Sequence, residues 1–483
     1  MKPIVCVILA VLLLAPLASL HAADLQVRVA PMVTACKRQG ITGSGWAAVN
    51  DVAHGAKTAG RIALIYPSHP DDWGKSGGTG LSYSDDGGLT WKAGPDNSPI
   101  PGMVDMWQDR LCNGDLITLG IRTVPDRKNV LANPATAVGE NVVGISKDRG
   151  KTWQTEPAKI HCPADVGVVA RPLPRIFEDE RGTMFMPAYS WSKAGSRALL
   201  LRSGDRGRNW NVASTIATAT AMGACGAPLT APWLETTVAR TSDGSLLAVV
   251  RTGSKAQSAL VAARSRDGGI TWSPVEKVLA GPQKRIVAGK MPGLCLLPNG
   301  VLVLLTAHSK NHCRIYLSHD GTGREWSDGF AITSQSGGNT SMISIGPDQL
   351  LVFTPASACI QCSQVTITKN VPAIKSSLPP PTDVAVGGTN VSVSWKPSAG
   401  AANVAHYLIT PILIKPSEAN KETEIFPYAP IQTRDATAQL EFGRVLSLGG
   451  TYRFEVAAVG RDGCISPTAT SAEVVVGIPP IRK

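Results

Sequence analysis

The stretch Ser84-Asp85-Asp86-Gly87-Gly88-Leu89-Thr90-Trp91, of form S-x-D-x-G-x-T-W, decides the fold because it recurs. Ser146 to Trp153 repeats it, Ser203 to Trp210 repeats it with Asn209 for Thr, and Ser265 to Trp272 repeats it again. Ser318 to Trp326 is a looser fifth copy with one residue inserted, and the five serines stand 62, 57, 62 and 53 residues apart. Such a period marks one supersecondary unit that buries its apolar face only against a neighbouring copy. Within each box the Asp and Gly suit a tight turn, the carboxylate accepting backbone N–H groups and Gly taking positive φ. The Trp is expected to pack as the next strand begins. Around the boxes lie short apolar strands such as Leu246 to Arg251 and Val301 to Leu305, separated by turn pairs such as Asp243-Gly244 and Asn299-Gly300.

Units of this length hold four strands, so the pattern predicts an all-β fold, a β-propeller. At a mean spacing near 58, residues 40–373 hold six blades. The composition agrees: 43% hydrophobic but only 17% charged residues exclude a disordered chain or a coiled coil.

The ends of the chain read differently. Lys2, the apolar run Ile4 to Ala15 and the small-residue site before Ala23 predict a cleaved signal peptide over 1–22, too short to span a bilayer comfortably. The mature protein is therefore expected to be secreted or periplasmic, without a transmembrane segment and monomeric. Residues 23–373 form the repeat region and 374–380 a linker. Residues 381–483 resemble a fibronectin type III β-sandwich through Val391-Ser-Val-Ser-Trp395, Tyr407 and the tyrosine-corner segment around Tyr452.

Nine cysteines remain after removal of Cys6, an odd number, so one thiol is left over from any intrachain pairing. Cys359-x-x-Cys362 lacks a second pair at zinc spacing and reads as structural. His308 and His312 lie in a loop, and no metal or other cofactor is expected. The formal charge of +11 suits an anionic glycan better than a nucleic acid in an exported protein.

The five boxes resemble the Asp-boxes of the sialidase superfamily, and their count and spacing resemble a six-bladed sialidase propeller. The boxes sit on the periphery, so chemistry is sought at the centre. Glu235 and Arg251 lie eight residues either side of Asp243, which sets them opposite each other across a hairpin, Cβ atoms roughly 5 Å apart. The matching positions in other repeats read, within one residue, Leu173 with Tyr189 and Met291 with Ala307. The resemblance gives Glu235 the place of the carboxylate that polarises the nucleophile and Arg251 a place in the arginine triad that grips the sugar carboxylate. Arg314 stands four residues before Ser318, where the other boxes have Gly80, Val142, Leu199 and Val261, and resembles a second triad member. Guanidinium suits this task because its planar fork meets a carboxylate in two parallel hydrogen bonds.

Asp72, within His69-Pro-Asp-Asp-Trp73, resembles the acid/base aspartate of the family's mobile loop. Two parts of the pattern are missing. Gly40 to Trp46 holds no arginine where the first triad member belongs, and Thr340 stands where the nucleophilic tyrosine is expected. Asp105 and Tyr189 are further candidates to face the centre. The resemblance thus implies an exo-glycosidase acting on a sialic acid-like sugar. Its alternatives are a non-catalytic glycan-binding propeller or a uronic-acid lyase or hydrolase.

Overall fold

The computed structural model describes residues 25–37, 46–49, 61–67, 79–93, 105–121, 141–148, 152–173, 175–230, 233–253, 258–308, 312–333, 340–356, 359–369, 378–387, 391–397, 401–416, 426–427, 431–440, 449–461 and 466–477. The fold is all-β, and Ala219–Ala224, capped by the Thr218 hydroxyl, is the only α-helix among the described residues. None of these elements is a helix long and apolar enough to cross a membrane.

From Trp46 onward the strands pair into successive antiparallel units of four. Sheet I runs Trp46–Val49, Ile62–Pro67, Thr79–Ser84 and Lys92–Ala93; sheet II runs Asp105–Arg110, Leu116–Ile121, Asn141–Ser146 and Gln154–His161. Sheet III is built from Val168–Pro172, Met184–Ser192, Gly195–Ser203 and Asn209–Thr218, and sheet IV from Thr236–Arg240, Leu246–Arg251, Leu260–Ser265 and Glu276–Lys277. Sheet V comprises Lys290–Leu296, Leu302–His308, His312–Ser318 and Phe330–Thr333. Sheet VI takes Ser341–Ser344, Gln349–Ala356 and Cys359–Lys369 from late in the chain. Its outer positions come from the N-terminal strands Leu25–Val29 and Val33–Lys37, both antiparallel to Cys359–Lys369.

Alternation within the strands explains why the sheets stack face to face. All six residues of Leu246–Arg251 are buried because the strand is covered on both sides. Leu246, Ala248 and Val250 join an apolar cluster with Tyr189, Trp191 and Leu200 of sheet III, while Leu247 and Val249 join one with Leu302, Leu304 and Tyr316 of sheet V. Equivalent clusters lie between sheets I and II, II and III, V and VI, and VI and I, so every sheet is sandwiched and the stack closes on itself.

Each box is built as its residue types require. In the fourth, the Ser265 hydroxyl donates to Asp267 at 2.8 Å and accepts the Gly269 N–H at 2.7 Å, while Asp267 accepts both the N–H and the hydroxyl of Thr271. Those Thr271 bonds, with Ser265, draw the Asp267 carboxyl down to about 2. The first, fourth and fifth boxes also fasten their sheets to the one before. Ser214 of sheet III donates to Gly269 O and accepts the Trp272 indole N–H at 2.9 Å, and Ser242 of sheet IV donates to Asp320 O in the fifth box. In the first box, Gly87 O and Gly88 O of sheet I receive Gln364 and the Cys362 thiol of sheet VI. Burial pushes that thiol up to about 12.

Beyond residue 377 the described strands make two further layers. Thr382–Gly387, Val391–Lys396 and Thr437–Leu440 form one; Val404–Pro416 and Gly450–Gly460, with shorter strands, form the other. Trp395, Tyr407, Ile409, Tyr452 and Phe454 fill the space between them, and Ala331 of sheet V joins this core. Val29 also pairs in parallel with Ile431, so the N-terminal strand links sheet VI to this second unit.

Candidate functional site

The second strand of each sheet lets positions be compared level by level. Counting five residues from the serine of the box, Arg251, Tyr189 and Ala307 occupy one level, paired with Leu260, Ala198 and Cys313. Their partners on the first strands are Glu235, Arg171 and Lys290: Arg251 N–H donates to Glu235 O at 2.9 Å, Arg171 lies opposite Tyr189, and Lys290 lies opposite Ala307. In sheet II the residue at this level is Asp105, opposite Ile121. One expected neighbour therefore shifts by two residues, and another by the single residue that the counting allowed. Arg171 rather than Leu173 faces Tyr189, and Lys290 rather than Met291 faces Ala307. In sheet III the cause is two extra residues between Pro172, opposite Ala188, and Phe177, opposite Phe185; in sheet V it is one extra residue between Lys290 and Gly293.

Glu235 and Arg251 form the buried ion pair that their spacing implied. Nη1 of Arg251 lies 2.5 Å from Oε1 of Glu235, and the two residues are 7% and 6% exposed. Each is held by a further bond. Oε2 of Glu235 accepts the Met291 N–H of sheet V at 2.9 Å, and Nε of Arg251 donates to Gly253 O at 2.5 Å. Removing two charges from water is costly, and these added bonds are what make such a pair tenable. The orientation follows from strand parity. Glu235 shares its face with Thr237, whose hydroxyl accepts the Leu294 N–H of sheet V, and Arg251 shares its face with Leu247 and Val249. The pair thus projects between sheets IV and V.

Arg314 enters the same space from the other side. It is 4% exposed, pairs with Thr306, and shares its strand face with Tyr316, which packs against sheet IV. The structure therefore brings Glu235, Arg251 and Arg314 into one seam. Tyr189 lies elsewhere, fully buried between sheets III and IV against Leu173, Trp191 and Leu234. Thr340 is buried just ahead of Ser341–Ser344. Asp72 lies outside the described residues, and Asp105 is placed only as the first residue of its strand.

Two cations at this level were not among the sequence candidates. Arg171 is 5% exposed, and Lys290 is half-buried. Burial and then the neighbouring Arg251 push the Lys290 ammonium down from its usual value, with Glu235 pulling it up. The signal for Lys290 lay in Gly289-Lys290-Met291-Pro292-Gly293, where two glycines and a proline within five residues announce a broken strand. Glu235, Arg251 and Lys290 thus lie within electrostatic reach of one another, with Arg314 in the same seam, while Arg171 lies at this level opposite Tyr189. No group of three or more potential metal ligands occurs among the described residues.

The far end of the first strands is closed. Asp109 of sheet II accepts the Ile176 N–H at 3.1 Å, and Arg175 reaches the Met342 carbonyl of sheet VI, three sheets away. Burial pushes the Asp109 carboxyl up to about 6 against the pull of Arg175.

Comparison with known proteins adds the following. Residues 129–364 match the family described as a BNR repeat-like domain, and residues 82–93 match the BNR/Asp-box repeat. No curated protein matches the chain. Among solved structures, the chain is similar to the α-L-arabinanase of Penicillium chrysogenum complexed with arabinobiose, at 13% identity and a TM-score of 0.47 over 71% of this chain and 98% of that one. It is also similar to the NanB sialidase of Streptococcus pneumoniae, at 11% identity and a TM-score of 0.48 over 70% and 71%. A mutant sialidase of Trypanosoma rangeli displaying trans-sialidase activity covers 94% of this chain and 89% of its own, at 12% identity and a TM-score of 0.43.

Proposed function

Because the chain is a BNR/Asp-box repeat protein, we propose that it is an exported, sialidase-like exo-glycosidase acting on an acidic sugar, built as a six-bladed β-propeller with a fibronectin type III-like β-sandwich behind it. The observation that carries this reading is the buried Glu235–Arg251 pair with Arg314 projecting into the same seam. In this reading the two guanidiniums receive the sugar carboxylate. Glu235, its oxygens oriented by Arg251 and the Met291 N–H, supplies the negative field that the developing positive charge at the anomeric carbon requires. Asp72 donates the proton to the leaving oxygen. The six stacked sheets support the blade count, and the layered core around Trp395, Tyr407 and Tyr452 supports the sandwich.

A second reading rests on Thr340. A threonine hydroxyl at the start of the sheet VI strand supplies no phenol to act as nucleophile, which favours a glycan-binding propeller without hydrolysis. The deciding experiment incubates the purified protein with a fluorogenic α-sialoside, beside Glu235→Gln and Arg251→Ala variants. Release by the wild type that both variants lose supports the glycosidase; no release from demonstrably folded wild type refutes it.

A further inference from the structure

We propose that Lys290 is a specificity-determining residue, its ammonium receiving the anionic group of the sugar at the rim of the Glu235–Arg251 pair. The inference rests on the acidic-sugar reading of that site and names a residue that reading does not include.

Three observations converge on it. First, the backbone that presents Lys290 is forced. Met291 holds φ +43, a left-handed conformation rare for a side-chain-bearing residue, and Gly289 holds φ +152 with its missing Cβ 2.8 Å from Cβ of Thr306. Conformations of this kind cost free energy and persist where the surroundings over-determine them. Here the result is that Met291 N–H reaches Glu235 while Lys290 is set at the level of Glu235 and Arg171.

Second, the ammonium has no ion-pair partner of its own: among the described residues no carboxylate lies within ion-pair distance of Lys290, because Glu235 is engaged by Arg251 and by the Met291 N–H. The half-buried ammonium is repelled by Arg251 and attracted by Glu235, so the pair offers it little net stabilisation against the cost of burial. An anion bound there gives the ammonium a partner of opposite charge.

Third, lysine differs from the two arginines in what it recognises. Arg251 is fixed by bonds to Glu235 and Gly253 and offers planar geometry, whereas an ammonium on a four-carbon stem follows an anionic group as it turns. Lys290 therefore selects for charge, with the guanidiniums setting orientation.

The test measures binding by calorimetry for the wild type, Lys290→Met, Lys290→Arg and Arg251→Ala. The probes are a methyl glycoside of a carboxylated sugar and its neutral counterpart lacking the carboxylate. Loss of one charge-assisted contact predicts that Lys290→Met weakens binding of the carboxylated probe about tenfold, while Lys290→Arg stays within about threefold and the neutral probe is unaffected. Unchanged affinity in Lys290→Met, where Arg251→Ala loses binding, overturns the role of Lys290 and leaves the acidic-sugar site standing. Absence of wild-type binding to the carboxylated probe overturns both. Removing a half-buried charge does not threaten the fold, and Lys290→Arg provides the second arm should Lys290→Met misfold.

Discussion

Two adjacent glycines of the fourth box separate the conformational duty of glycine from its packing duty. Gly268 and Gly269 hold φ of +74 and +93, so alanine at either position bears a left-handed cost of about 1–2 kcal/mol. They differ in space. A Cβ on Gly268 would meet nothing within 4 Å, whereas one on Gly269 would lie 2.4 Å from Cδ2 of Leu200 and 3.4 Å from Cδ1 of Leu246. Leu200 is fully buried in the core between sheets III and IV and cannot swing aside without disturbing Tyr189 and Trp191. Overpacking of this kind adds about 1–3 kcal/mol. Gly268→Ala is thus expected to destabilise by about 1–2 kcal/mol and Gly269→Ala by about 2–5 kcal/mol. The assay is urea unfolding followed by tryptophan fluorescence, with the midpoint shifting at constant slope. Adding Leu200→Ala should recover about 1 kcal/mol of the Gly269→Ala cost in a double-mutant cycle. Equal losses at the two glycines, or no coupling to Leu200, would refute the docking of this box on sheet III.

The other expectations concern charge. Arg251→Ala strands Glu235 as a buried charge and should cost about 3–5 kcal/mol, while the double replacement Glu235→Gln/Arg251→Met should unfold within about 1 kcal/mol of wild type, read in the same urea titration. The Asp267 carboxyl, held at about 2 by Thr271 and Ser265, lies below its unfolded value near 4. Its stabilisation is therefore present above pH 4 and fades as pH falls toward 2, so the thermal midpoint of Asp267→Asn should be lower than that of wild type at pH 6 and converge with it near pH 2. Asp109 runs the other way. With burial raising its carboxyl to about 6, wild type loses about 2–3 kcal/mol as pH rises from 4 through 6, and Asp109→Asn should not show that loss in denaturation at pH 4 and pH 8.

The boxes were legible because serine, aspartate, glycine and tryptophan fulfil local duties that need no knowledge of the rest of the chain. Glu235 and Arg251 were legible for a related reason, since a tight turn at Asp243-Gly244 fixes register by counting. Counting failed where the first strands break. Two extra residues between Pro172 and Phe177, and one between Lys290 and Gly293, moved Arg171 and Lys290 into the places counted for Leu173 and Met291. The pairing of Leu25–Val29 with Cys359–Lys369 was hidden as well, because the partner of an antiparallel strand more than 300 residues away leaves no local pattern. The placement of Tyr189 turned on strand parity, which assigns it to the seam with sheet IV that Leu234 fills, away from Arg251.

Sheet VI gives the protein a particular mechanical character. Its strand Cys359–Lys369 is gripped on one side by Gln349–Ala356 and on the other by the first strands of the chain, and Leu25–Val29 in turn holds Ile431. The strand Leu25–Val29 is therefore a hasp fastened across the joint. During synthesis it must wait, unpaired, until more than 300 further residues have emerged, so the ring latches last. Once latched, a pull on Leu25–Val29 loads the row of backbone hydrogen bonds that joins it to Cys359–Lys369.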